Sequence, residues 1–317
     1  MELYGTIFLA VIPVFLVMGL GMVFRWKQWL TQEAEKSFLK LILNLFYPAL
    51  VLKFVLGNPL LESPENIFAP PLVAFGTVCV GYAVAWFLAH PLGVQGSGAR
   101  PTFSFTCGMY NYGYIPIPLS MALFGEETTG VLLVYNVGVE AAFWGVGVLI
   151  LTAGKGGSLW KKILNPPILA LILALGLNFA GFTEWGGPSY TVLRGVIDPL
   201  GACAIPMGLI ISGAILYDLL REGKWVGAWK PPLAACLIRL GLLPLGFLGL
   251  AVILPVSLEL KQILLIQASM PAALLPIVVA KMYGGNTQVA VQVVATTSAV
   301  SILTIPAWVG LGMHWLF

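Results

Sequence analysis

Charge is scarce in this chain. Among 317 residues there are sixteen Lys and Arg and thirteen Asp and Glu, together 9%, where a soluble domain carries about 25%. A soluble globule of this size needs far more polar surface to cover its core, so that class is excluded, and with it a disordered chain. The formal net charge of +3 is small and scattered along the chain, which excludes the electrostatic footprint of a nucleic-acid binder. Cysteine is sparse as well: Cys79, Cys107, Cys203 and Cys236 all fall in apolar stretches, which argues against a disulfide framework. There is no CxxC and no His/Cys cluster, so no metal is expected. HExxH, GxSxG, a paired-aspartate motif and an ATP-binding loop are missing too. A membrane enzyme therefore has no visible machinery, and any transport would run on gradients, without a cofactor. The start, MELYG, lacks a basic leader, so the first apolar stretch is expected to be a retained helix.

What the sequence has is apolar length. Hydrophobic residues make up 59% and mean hydropathy is +0.95. A bilayer asks for about 20 apolar residues per helix. Ten such stretches are present, at about 5–24, 37–57, 69–90, 101–124, 128–152, 166–182, 191–217, 231–255, 260–282 and 286–312. Backbone groups cannot be left open in lipid, so these are predicted helices rather than the short alternating strands of a barrel. The expected class is an all-α polytopic membrane protein of ten spans. Basic residues set its orientation. The odd-numbered connections hold Arg25, Lys27, Lys36, Lys40, Arg100, Lys155, Lys161, Lys162, Arg221, Lys224, Lys230 and Lys281, and the even ones only Arg194 and Lys261. That places the odd connections in the cytoplasm and both termini outside. The compact length favours a bacterial inner membrane. Trp26, Trp29, Trp225 and Trp229 sit at span ends, as an aromatic belt would.

Ten spans divide into two sets of five, which must insert with opposite topology. The expected organisation is a first repeat over 1–153, a cytoplasmic joint over 154–165 and an inverted repeat over 166–317. A shift of 160 residues brings Gly125 onto Gly285, Pro116 onto Pro276 and Asn111 onto Pro271, and Pro48 matches Pro206 at 158. Inverted repeats recur in secondary transporters. The fourth span, FSFTCGMYNYGYIPIPLSMALFG, carries Gly113, Pro116 and Pro118 at its middle, and the ninth, ILLIQASMPAALLPIVVAKMYGG, carries Pro271 and Pro276. Proline removes a donor and glycine eases unwinding. Two breaks at matching places are the best sequence pointer to a midplane binding site. Each second half-helix starts near a proline and turns an N-terminus, with its free N–H groups and partial positive charge, to the centre. Two such ends favour an anion. Asn111 and Tyr112 at one break, and Gln267 and Ser269 near the other, supply uncharged partners.

These segments carry a family resemblance. YNYGYIPIPLSMALFGEE (110–127), NPPILALILALGLNFAG (165–181), LGACAIPMGLIISGAIL (200–216) and ASMPAALLPIVVAKMYGG (268–285) are similar to the auxin efflux carrier family. That family includes bacterial organic-acid permeases and plant auxin exporters, within the bile-acid, arsenite and riboflavin transporter superfamily. The resemblance implies crossing broken helices 4 and 9, a scaffold of helices 1, 2, 6 and 7, and a mobile unit of helices 3–5 and 8–10 that moves as an elevator. It also implies a homodimer. Asn111 and Gly113 match the family's asparagine–glycine signature, and Pro116, Pro118 and Pro271 match its crossover prolines. Ser269–Met270–Pro271 is like many bacterial members and lacks the asparagine beside the proline of a plant-type carrier. That departure, and a joint of only a dozen residues, point away from auxin itself.

Glu140 lies near the middle of span 5, the costliest depth for a carboxylate, with Asn136 four residues earlier on the same face. It reads either as a coupling site for H⁺ or Na⁺, or as a structural pair with Arg239 or Lys281. Lys53 reads as snorkelling to the interface or attracting anions. Tyr47 and Asn44 before Pro48 could line a pathway or simply pack. The expected function is secondary transport of a small organic anion bound at the crossing by Asn111, Tyr112, Gly113, Pro116, Gln267, Ser269, Met270 and Pro271, with Pro118 and Pro276 as hinges. The alternatives are a sodium-coupled symporter of the bile-acid type and a non-transporting membrane receptor. The expected partners are the substrate anion, the lipid bilayer and a second copy of the chain, with no nucleic acid.

Overall fold

The structure is a computed structural model that describes residues 2–154, 165–222 and 229–317. The expected joint lysines Lys155, Lys161 and Lys162, and Lys224 with Trp225, lie outside the described residues. Everything described is helix or connection, apart from one isolated bridge between extended segments. In chain order the helices are α1 (Glu2–Trp26), α2 (Gln32–Leu41), α3 (Tyr47–Val55), α4 (Pro64–Ala89), α5 (Ala99–Gly108), α6 (Pro116–Ala142), α7 (Val148–Leu151), α8 (Pro166–Phe179), α9 (Phe182–Trp185) and α10 (Gly187–Glu222). They continue with α11 (Lys230–Leu237), α12 (Leu243–Ile253), α13 (Leu258–Ser269), α14 (Leu275–Met282) and α15 (Thr287–Leu316).

Among the described residues, seven helical runs are long and apolar enough to cross a membrane: Ile7–Trp26, Gln32–Val55, Pro64–Ala89, Pro116–Leu151, Gly187–Arg221, Lys230–Ile253 and Thr287–Leu316. Helices α5, α8, α13 and α14 are shorter than a bilayer. The run Pro116–Leu151 joins the second half of expected span 4 to span 5. The chain reverses inside it at Gly125, whose φ of 87° and ψ of 179° are open to glycine and strained for other residues.

Three of the long runs contain a single π turn, at Ile42–Phe46, Phe143–Gly147 and Ile238–Leu242. Pro48 and Pro244 follow the first and third within two residues. A proline cannot donate to the turn before it, so the ladder there is rewound rather than cut. Small residues let backbones approach where helices cross. Any Cβ at Gly21 would lie 2.0 Å from the Ile210 carbonyl oxygen, and one at Gly213 would lie 1.9 Å from that of Met18. This seam fastens α1 to α10, the close packing that membrane interiors reward.

The apolar surface points outward as well as inward. Leu9, Leu72 and Leu303 are more than seven-tenths exposed, alongside Leu16, Phe68, Phe87 and Phe179. Such a belt is costly in water and natural against lipid. Charge gathers at the helix ends. Arg25, buried at the end of α1, forms an ion pair with Glu35 of α2 and another with Asp218 of α10 at 3.1 Å. Arg194 pairs with Asp198 one turn away at 3.1 Å and donates to the Lys53 carbonyl at 2.7 Å, joining α10 to the end of α3.

Candidate functional site

Two helices break at the centre of the molecule, and the breaks touch. Helix α5 ends at Gly108, and Met109 turns extended. Helix α13 ends at Ser269, and Met270, forced out of the helical region by the proline that follows it, is extended too. The two extended segments run antiparallel and bridge at Tyr110 and Ala272. The Asn111 amide donates to the Pro271 carbonyl at 2.8 Å, and the Ala273 amide to the Met109 carbonyl at 2.9 Å. The Ala272 amide, facing the other way, donates to Thr297 Oγ1 of α15 at 3.2 Å. Unwound backbone is thus satisfied by its counterpart and by a neighbouring helix, as a buried position requires. Both second half-helices begin near a proline: Pro116 opens α6 and Pro276 is second in α14. In the first turn of α6, Pro116 and Pro118 carry no N–H, and the Ile117 and Leu119 amides donate to the Gly113 and Ile115 carbonyls at 3.1 and 3.4 Å. In α14 Pro276 carries none and the Ile277 amide donates to the Leu274 carbonyl at 3.0 Å, so each end contributes chiefly its dipole. Pro118 lies within the first turn of α6 rather than in the break, so the unwound stretch of the fourth span is Met109–Ile115, earlier than the prolines alone suggest.

Beside the crossing lies a small cavity of about 30 Å³, room for a water molecule or two. Its polar lining is Tyr47 of α3, Tyr112 of the linker, Asn136 and Glu140 of α6, and Asn165 at the cap of α8. Glu140 is only partly buried and accepts three hydrogen bonds. The donors are the Tyr112 hydroxyl at 2.7 Å, Trp144 Nε1 at 3.0 Å and Asn165 Nδ2 at 3.4 Å. Asn136 Nδ2 donates to the Tyr112 carbonyl at 2.9 Å, while its buried Oδ1 has no hydrogen-bond partner. The residue pair read from helical spacing is therefore one site.

The structural pairing proposed for Glu140 is corrected: among the described residues it forms an ion pair with neither Arg239 nor Lys281. Arg239 sits in the π turn of the eighth span, fully buried on the linker. It donates weakly to the Ala268 carbonyl at 3.4 Å and lies 5.2 Å from the centroid of Tyr110 and 5.3 Å from that of Phe247. The partial negative charge at the end of α13 and the two ring faces partly offset its charge. Its Nε and Nη1 have no partner. Lys281 is exposed in the last turn of α14.

The other expected residues are distributed around the crossing rather than gathered on the cavity. Asn111 is part-buried, and its side chain accepts from the Gly113 amide at 3.3 Å, which shapes the turn. Gln267, Ser269, Met270 and Pro271 are buried in the packed interior. The Ser269 hydroxyl donates to the Ile266 carbonyl at 2.7 Å, and neither side-chain polar atom of Gln267 has a partner. Tyr114 packs its ring on Gly208 of α10, where a Cβ would come within 2.0 Å of it. A buried hydroxyl triad lies behind the linker: Thr77 meets Tyr135 at 3.0 Å and Tyr110 at 3.2 Å, and the two tyrosines meet at 2.8 Å. Reading by residue missed Asn165, Trp144 and this triad. A tryptophan four residues after Glu140 is the one signal that spacing carried.

The model of the membrane transport protein family, the auxin efflux carriers, matches residues 6–159 and 155–309. The chain belongs to the auxin efflux carrier family. Two curated relatives of this carrier are described as uncharacterized transporters. One, from Methanothermobacter thermautotrophicus, is 22% identical over 302 residues, covering 94% of this chain and 96% of the relative. The other, from Methanocaldococcus jannaschii, is 25% identical over 205 residues, covering 62% and 64%. With its apolar helices and its family, this carrier is an integral membrane transporter. The crossing described above is built from two of the four segments that carry the family resemblance, 110–127 and 268–285.

Proposed function

We propose that this chain is a secondary active transporter of a small organic anion, a carboxylate, bound at the crossing and moved by an elevator-type mechanism. The observation that carries the reading is the pair of helix breaks hydrogen-bonded to one another, with a polar cavity beside them. The N-termini of α6 and α14 supply partial positive charge at that depth. Asn111, Tyr112 and Gly113, with Pro116 and the second segment Gln267, Ser269, Met270 and Pro271, shape the binding crossing. Pro118 and Pro276 act as its hinges, and Glu140 with Asn136 forms the coupling site. The packing supports a division into two bodies. Helix α1 packs on α10, and α10 and α8 pack on α3, which gives a scaffold of α1–α3, α8 and α10. Helix α4 packs on α5 and α6, α12 on α13, and α15 on α5, α11 and α13, which gives a mobile unit. The proposed assembly is a homodimer through the scaffold, in a plasma membrane, with both termini outside.

The test is charge movement from proteoliposomes on a sensor membrane, with malate, lactate and indole-3-acetate, each with and without sodium. The expected result is a transient with at least one anion, reduced at least tenfold in apparent affinity by Asn111→Ala. Unchanged affinity in that variant removes the crossing as the site. Sodium dependence would favour a symporter of the bile-acid type.

A further inference from the structure

We infer that a carboxylate substrate and a proton load together, the proton onto Glu140, and that this loading releases the crossing from helix α8. The inference rests on the carboxylate-transport reading above and adds its coupling. Four parts of the molecule meet at the cavity: α3 through Tyr47, the linker through Tyr112, α6 through Asn136 and Glu140, and the cap of α8 through Asn165. Glu140 ties three of them together, because Tyr112, Asn165 and its own helix all converge on one carboxylate. The Asn165 bond bridges α6, in the mobile unit, to α8 in the scaffold, and the Tyr112 bond carries that tie on to the linker.

The titratable groups facing Glu140 are the hydroxyls of Tyr112 and of Tyr47 on α3. Among the described residues, no Lys, Arg or His lies within ion-pairing distance of it. A second carboxylate arriving at the mouth of this cavity would stand beside the first; among the described residues no fixed cation lies there, and like charges at that range repel strongly. The conflict ends when Glu140 takes a proton from water on the side to which the cavity is open. The new O–H has an acceptor waiting: Asn136 Oδ1, buried, unpartnered and one turn away on the same face. The Tyr112 hydroxyl and Asn165 Nδ2 then lose a charged acceptor and can turn to the substrate carboxylate. The tie from α6 to Asn165 is broken in the same event. On release at the other face the proton returns to water, and the tie reforms once the emptied unit has moved back beside α8. No bond other than the O–H forms or breaks and no electrons are exchanged. A monovalent carboxylate then crosses without net charge, and a divalent one carries a single negative charge.

The experiment uses the full chain in liposomes with a trapped pH dye and labelled lactate, malate and indole-3-acetate as probes, each corrected for protein-free vesicles. The expected result is uptake of a probe with one proton entering the lumen per molecule. That uptake should fall about tenfold per pH unit above its midpoint, because only protonated Glu140 admits the anion. In Glu140→Gln, uptake should carry no proton and lose its pH slope. If that variant does not fold, Tyr112→Phe and Asn165→Ala serve instead. Each removes a donor to the ionised form and should raise the midpoint by about one unit. Uptake by the unaltered protein without lumen acidification overturns the inference and leaves carboxylate transport standing. An unshifted pH slope in Glu140→Gln, or an unshifted midpoint in both donor variants, does the same. Silence with every probe overturns the carboxylate reading, and the inference with it.

Discussion

Glu140 lies within an apolar run long enough to cross a membrane, and among the described residues its partners are neutral donors rather than a cation. The Tyr112 bond to it is worth about 1.5–3 kcal/mol while Glu140 is ionised and less when it is protonated. Tyr112→Phe should therefore lower the thermal midpoint in detergent more at pH 8 than at pH 5. Equal losses at the two values would mean that the carboxyl does not change state. Arg239 poses the opposite problem, a buried cation with two idle nitrogens. An apolar residue of similar volume spares the desolvation cost, so Arg239→Met should unfold at the same or a higher temperature. Arg239→Ala adds a void costing about 2–5 kcal/mol and should unfold earlier. Position in a hydrophobic run marks both residues as costly and worth tracing. It does not say what they touch: the spacing of Glu140 and Asn136 was readable, whereas the distance from Glu140 to Arg239 was not.

The working element is the pair of unwound segments, and its strength lies in backbone groups that have few partners to choose from. Ala272 donates to Thr297 Oγ1 in a fully buried environment. Thr297→Val keeps the shape and strips the acceptor, leaving a buried N–H unsatisfied at a cost of about 1–3 kcal/mol. The expected outcome is a lower unfolding temperature together with weaker substrate binding, measured by thermal shift with and without the transported anion. A loss of stability with unaltered binding would confine Thr297 to scaffolding. The prolines told the sequence reader that two helices break. They did not say where, because the fourth span unwinds from Met109, ahead of its prolines, where the segment finds a partner in Met270–Leu274. Proline excludes helix locally, but the extent of the break is fixed by long-range pairing.

Across the whole molecule, orientation follows from where lysine and arginine cannot go. If the odd connections face the cytoplasm, a cysteine placed at exposed Lys27 should resist an impermeant thiol reagent in intact cells. One at exposed Glu62 should react, in a background free of the four native cysteines. The reverse pattern would invert the topology and exchange the two faces of the crossing. The cluster of Arg25, Glu35 and Asp218 shows the same economy. These three charges are paired, and they bind α1, α2 and α10 at one end.

The sequence alone determined that this chain is an all-helical membrane protein and that two of its helices break. Those properties follow from local rules: apolar length against bilayer thickness, and the missing donor of proline. The tertiary structure alone decided that the breaks pair through Asn111 and Pro271, that Glu140 meets Tyr112, Trp144 and Asn165, and that Arg239 is shut in with no carboxylate beside it among the described residues. These contacts join residues far apart in the chain. Sequence spacing fixes which residues share a helix face, but which helix faces meet is settled only when the whole bundle packs.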